Sequence, residues 1–203
     1  MTRLLGSLTF FILAIGTALY ALVAYGLFPL GALVHPDMLT AFQAHAAGVY
    51  THVFASLWAL ALGPFQFLPA IRQRRPMLHR WTGRAYLTMV LVGGLSGLYL
   101  AQFSFGGMIS HVGFALLALA WLVTGVMAYR AIRRRDFITH RRWMVRNYAL
   151  TFAAVTLRLY LGLFLTAGVA FETFYPWLAW LCWLPNLLIA EWYFNARHER
   201  AFS

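Results

Sequence analysis

LHRWTGRAYL, residues 78–87, and THRRWMVRNYAL, residues 139–150, write one charged phrase twice in a chain of 203 residues. Each copy reads His, Arg, Trp, two spacers, Arg, one spacer, Tyr, with one extra Arg in the second. Around both phrases the chain is apolar, 62% hydrophobic and only 10% charged. Soluble domains carry about a quarter charged residues, so this composition belongs to a membrane protein.

Working outward, each phrase has an echo upstream. HVFASLWALALG opens at His52 and HVGFALLALAWL opens at His111. His52 precedes His79 by 27 residues and His111 precedes His140 by 29. The chain therefore reads as two copies of one helical hairpin in the same orientation, a parallel repeat.

The apolar runs set the span count. A hydrocarbon core of about 30 Å needs ~20 helical residues. Runs at roughly 5–28, 49–71, 84–104, 110–129, 147–167 and 175–195 meet that length. The first is too long for a signal-peptide core and lacks a small-residue cleavage site, so it counts as a span. The expected fold is an all-α integral membrane domain over 1–203: six transmembrane helices, with a central four-helix bundle from the hairpins of spans 2–3 and 4–5. Cys182 is the single cysteine, so no intramolecular disulfide can form.

The net charge of +11 comes from sixteen arginines and no lysine. They gather between spans two and three (Arg72 to Arg84) and between spans four and five (Arg130 to Arg146), with Arg3, Arg197 and Arg200 at the termini. The opposite loops carry only Asp37 and Glu172. This is a topology signal and not a nucleic-acid surface. The positive-inside rule puts both termini on the cytoplasmic side of a bacterial inner membrane, with the lipid bilayer as the first partner.

On that topology His52 and His111 fall near the outer ends of their spans, and His79 and His140 at the inner ends. One imidazole from each of two facing helices is what bis-histidine haem b requires. The stripes beneath them are small: Ser56, Ala59 and Gly63 below His52, Ala115 and Ala118 below His111, and Gly93, Gly94 and Gly97 below His79. Such residues leave room for a flat macrocycle or let helices approach closely. Arg80, Arg84, Arg142 and Arg146 stand near the inner pair, where guanidinium forks match haem propionates. Trp81 and Trp143 suit the interfacial belt.

Six polar residues that fall within the spans stand out. Arg158 is costly at the bilayer centre and needs a partner. Glu191 is the simplest one; a propionate or quinone head is the functional alternative. Asn147, Thr151 and Arg158 share one stripe, Asn186 falls at the depth of Arg158, and Gln66 reads as a helix–helix hydrogen bond or part of the same pocket. Outside the spans, His35, Asp37 and His45 offer a copper or zinc site together with His52 and His111.

ALGPFQFLPAIRQRRPMLHRWTGRAYL, HRRWMVRNYALTFAAVTLRLYL and WLCWLPNLLIAEWYF together resemble a widespread bacterial family of multi-spanning membrane proteins known only as a domain of unknown function. The resemblance runs from about residue 45 and implies the span architecture without an activity. The core is also similar in plan to the transmembrane dihaem b-type cytochromes of the ascorbate-reducible kind. That likeness implies His52 pairing with His111 and His79 with His140; the basic setting of the inner pair departs from that family.

The leading expectation is a membrane oxidoreductase with one or two haems b, passing electrons from a quinol or small reductant to an acceptor, alone, as a homodimer or in a larger complex. The alternatives are a transporter or lipid-binding protein with an anion site at Arg158 and the cytoplasmic Arg cluster, and an accessory subunit without chemistry of its own.

Overall fold

The computed structural model describes residues 2–199, the side chains at 2–5, 7 and 195–199 not among them; Arg3, Arg197, His198 and Arg200 lie outside the described side chains. All regular structure among the described residues is helical, and the chain divides into two units, Met1–Ser104 and Phe105–Ser203.

The first unit holds α1 (Thr2–Gly26), α2 (Pro36–Ala44), α3 (Ala46–Gln66), α4 (Pro69–Arg74) and α5 (Pro76–Ala101). α3 is its centre, with α5 and α1 both packed on it. α1 buries an alanine row, Ala14, Ala18, Ala21 and Ala24, each no more than 6% exposed, while Leu8, Leu19 and Leu22 face outward. Small residues inward and large apolar ones outward is how a helix packs when its solvent is lipid.

Prolines punctuate this unit. Leu68 is extended ahead of Pro69, as a residue before proline prefers, so α3 ends at Gln66 and not near residue 71 as the apolar run suggests. Pro76 then opens α5 at its first position, where the missing N–H costs nothing. α5 consequently starts eight residues before the apolar run at 84, and His79 lies inside the helix.

The second unit holds α6 (Gly107–Arg133), α7 (Phe137–Thr151), α8 (Ala153–Thr166), α9 (Phe171–Leu181) and α10 (Leu184–Glu199). α6 packs against α7 and α9, α10 against α7, and α8 against α9. The α6–α7 corner is tight. Asp136 N–H bonds the Ala131 carbonyl and Arg135 N–H the Ile132 carbonyl, both at 3.0 Å, closing a Schellman motif. Arg135 occupies its left-handed position, with φ +59, where glycine normally sits. Arg135→Gly is expected to raise stability by up to about 1 kcal/mol, seen as a higher midpoint in detergent unfolding, because the Cβ penalty disappears.

Asp136 then caps α7, its Oδ1 accepting the Thr139 N–H at 2.9 Å. That backbone bond, helped by Arg142, holds the carboxyl below its ordinary value. A depressed carboxylate contributes stability above the unfolded value near 3.9 and loses it as pH falls through the lower folded one. The protection factor of the Thr139 amide, taken against the free-peptide exchange rate at each pH, should therefore hold from neutral pH down to about 4 and fall below it. The cap also explains why α7 begins ten residues before the apolar run at 147, taking His140 into the helix.

Among the described residues, five stretches are long and apolar enough to cross a membrane: Leu8–Gly26, Ala46–Gln66, Pro76–Ala101, Gly107–Arg133 and, across an interruption at Phe152, Phe137–Thr166. The run at 175–195 is different. It breaks at Cys182 and Trp183 into α9 and α10, because Pro185 lies in the first turn of α10 and its ring would clash with the Leu181 carbonyl in a continuous helix. The Phe152 interruption has its own cause. Asn186 on α10 donates to Thr156 Oγ1 at 2.9 Å and reaches the Ala149 carbonyl at 3.3 Å, a side chain inserted at the broken turn.

Candidate functional site

Each hairpin carries one histidine fixed through its Nδ1. In the first unit, His52 on α3 lies 2.8 Å from the carbonyl of Gly93 on α5. In the second, His140 on α7 lies 2.9 Å from the carbonyl of Ala128 on α6. A carbonyl only accepts, so in both rings Nδ1 carries the proton, and in the neutral imidazole Nε2 is then the nitrogen with the lone pair. That is the tautomer metal-ligating histidines adopt, held by the outer hydrogen bond they usually make.

The same two bonds fix the histidine levels. His52 is level with Gly93, fourteen residues along α5 from His79. His140 is level with Ala128, seventeen residues along α6 from His111. At 1.5 Å per residue the levels are ~21 Å apart in the first hairpin and ~25 Å in the second. Both hairpins thus repeat one spacing, with His79 and His140 near the Arg-rich corner and His52 and His111 near the open end. His79 and His111 are half-buried.

The glycines have a structural use. Gly93 and Gly94 are buried, and the approach they allow between α5 and α3 is what brings His52 to the Gly93 carbonyl. Ala59 and Gly63 are buried on the His52 stripe as well. Close helix contact accounts for this part of the small-residue pattern.

The arginines divide. Arg80, Arg84 and Arg142 are exposed; Arg80 Nε bonds the Pro76 carbonyl of its own helix, and Arg84 stacks 4.9 Å over Trp81. Arg146 is engaged in a fork with Glu191, Nε to Oε1 and Nη2 to Oε2, the second bond 2.7 Å long. Trp143 and Phe194 flank its guanidinium at 4.9 and 5.0 Å.

This corrects the expected Arg158–Glu191 pair. Glu191 stands on α10 where that helix packs on α7, so it meets Arg146. Arg158 is half-buried on α8 and donates from Nη1 to the Ala154 carbonyl at 2.8 Å. Asn186, expected at its depth, bonds Thr156 and the Cys182 carbonyl. Gln66, 7% exposed, donates to Thr82 Oγ1 at 2.7 Å, an α3–α5 hydrogen bond as anticipated.

Sequence reasoning missed half of a buried polar network between α6 and α7. Asn147, fully buried, donates to the Trp121 carbonyl and to Thr124 Oγ1, both at 2.8 Å, and Trp121 Nε1 donates to Thr151 Oγ1 at 2.8 Å. Asn147 and Thr151 stood out on their stripe; the available signal for their partners was a tryptophan in mid-span, away from the interfacial belt. A second group, His45, Tyr99 and Phe103, was also unforeseen. His45 Nδ1 meets the Tyr99 hydroxyl at 2.9 Å, and its ring stacks on Phe103 with centroids 3.7 Å apart.

His45 packs on Tyr99 and Phe103, and His35 Nδ1 lies 3.5 Å from Asp37 Oδ2. Among the described residues no three His, Cys, Asp or Glu side chains form a metal-holding group. Bis-histidine ligation needs only two, so that count does not bear on it.

No curated protein and no solved structure matches the chain. A family model described as "Predicted membrane protein (DUF2306)" matches residues 49–194, which takes in both charged phrases, the four histidines and the Arg146–Glu191 fork. The chain belongs to this family of membrane proteins of unknown function.

Proposed function

We propose that this membrane protein is a b-type haem protein that carries electrons across the bacterial inner membrane, from a quinol or small reductant to an acceptor. One observation supports the reading: His52 and His140, one in each hairpin, are each held through Nδ1 by a backbone carbonyl, the outer hydrogen bond that orients a ligating imidazole. The two hairpins would pack into a four-helix core, pairing His52 with His111 and His79 with His140. Haem supplies one-electron chemistry when bound. The chain's own tasks are to orient the imidazoles, to keep the core dry, and to hold propionates with Arg80, Arg84 and Arg142, Arg146 being committed to Glu191.

The run that divides into α9 and α10 completes six crossings in this reading, which leaves both termini with the arginines on the cytoplasmic side. The repeat of the histidine spacing supports two levels of ligation, one toward each membrane face. Reduction by a quinol tests the electron-transfer part. Duroquinol added to the oxidised, haem-loaded protein should give a reduced b-type spectrum within seconds. Reduction by dithionite alone, with quinols and ascorbate inert, would remove the assignment as an electron carrier.

A further inference from the structure

We propose that the recess at the α6–α7 corner of the second unit binds the phosphoethanolamine headgroup of a membrane lipid. The recess is about 140 Å³, and Arg130, Arg134, Asp136, Thr139 and Trp143 supply its polar and aromatic lining, with Met127 on the apolar side. Arg130 and Arg134 stand one helical turn apart and are exposed, and their guanidinium groups make no hydrogen bond or ion pair among the described residues. Arg133, between them in sequence, is turned to the Tyr129 hydroxyl at 2.9 Å. Two uncommitted forks on one wall are suited to a phosphate.

The recess also contains an acid. Asp136 accepts the Thr139 N–H, with the Thr139 hydroxyl and the Ile138 N–H also on its carboxyl, and a carboxylate has about four acceptor sites, so one is left for an ammonium. A purely anionic headgroup seated between the arginines would face that charge. A zwitterionic one satisfies both walls, phosphate on Arg130 and Arg134 and ammonium on Asp136.

Position identifies the source as a lipid. From Gly107 to Tyr129, α6 has no acidic or basic residue apart from His111, so Arg130 is the first formal charge at the end of a span. Tyr129 and Trp143 mark the interfacial belt. Phe137 and Ile138, on the first turn of α7, are 67% and 72% exposed, side chains that an acyl boundary accommodates and water does not.

The test is native mass spectrometry of the full chain in detergent, offered dioleoyl phosphatidylethanolamine and dioleoyl phosphatidylglycerol in equal amounts. The ethanolamine lipid should bind at least tenfold better. Arg130→Gln with Arg134→Gln should lower that binding tenfold or more, while Arg133→Gln, which alters the guanidinium facing Tyr129, should leave it unchanged. Asp136→Asn keeps the helix cap, since Asn caps as well as Asp, and should invert the preference toward the glycerol lipid. Millimolar glycerophosphoethanolamine should leave the bound lipid in place; displacement by it would point to a soluble ligand and overturn the lipid assignment. Preference for phosphatidylglycerol in the unaltered chain, or full binding by the double glutamine variant, would overturn the site.

Discussion

Gly113→Leu is expected to separate α9 from α6 and to be the most destabilising single change in the second unit. A Cβ at Gly113 would stand 2.8 Å from Ala179 Cβ, 2.9 Å from Trp180 Nε1 and 3.0 Å from the Ala179 carbonyl oxygen. Two of these atoms cannot simply swing aside. Ala179 is fully buried, and Trp180 Nε1 is held by the Ile109 carbonyl at 3.0 Å. Overpacking a close contact costs about 1–3 kcal/mol even for a small addition, and leucine adds three more carbons to be placed. Gly162 supplies the control, since nothing lies within 4 Å of its would-be Cβ. Gly162→Ala should stabilise α8 by roughly 0.5–1 kcal/mol, the ordinary helical penalty of glycine. Unfolding of both variants in mixed detergent micelles, followed by circular dichroism, checks the pair of expectations; equal midpoints would deny the tight α6–α9 crossing its role.

The second large effect is chemical. His52→Ala and His140→Ala should each remove one haem from the purified protein, leaving the other spectroscopically intact, because the proposed pairing gives each ring to a different haem. In the proposed pairing each ring serves a different haem, so the losses should be independent and the double variant colourless. Exogenous imidazole should restore absorbance in each single variant by filling the vacated axial position. A purely structural histidine would give no such rescue. The carbonyls that hold the rings belong to the backbone of Gly93 and Ala128, so they act whatever side chain those positions carry, provided the helices stay close. Gly93→Leu should therefore weaken haem retention, on the order of 10–100-fold, by moving α5 away from His52.

The hairpins were legible in the sequence because two different signals agreed. Apolar run length placed the spans, and the doubled His-Arg-Trp phrase placed their corners. Helix starts were less legible. The apolar runs begin at Arg84 and Asn147, whereas the helices begin at Pro76 and Phe137, since Pro76 and the Asp136 cap start a helix regardless of hydropathy. The break at Cys182 had a signal in Pro185 that the run length concealed. The break at Phe152 had none nearby, because its cause is Asn186, more than thirty residues away in sequence.

The candidate site shows the same division. That His52 stands far along its hairpin from His79, and His111 from His140, followed from their spacing. The partner of Glu191 did not follow, because the choice between Arg146 and Arg158 depends on which helix α10 packs against. Pairwise depth along straight helices favoured Arg158; the interruptions at Phe152 and Cys182 put the carboxylate beside Arg146. The Asn147 network was half visible for a related reason: a stripe on one helix says which residues turn inward, and the partners Trp121 and Thr124 stand on another.

The most direct measurement is a reduced-minus-oxidised absorption spectrum of the full chain, purified in detergent after expression with ample haem, together with a pyridine haemochrome count per chain. The account predicts a b-type spectrum and two haems per chain, falling to one in His52→Ala and in His140→Ala. A colourless, folded protein would contradict it, and the carbonyl-held histidines would then be helix–helix hydrogen bonds and nothing more.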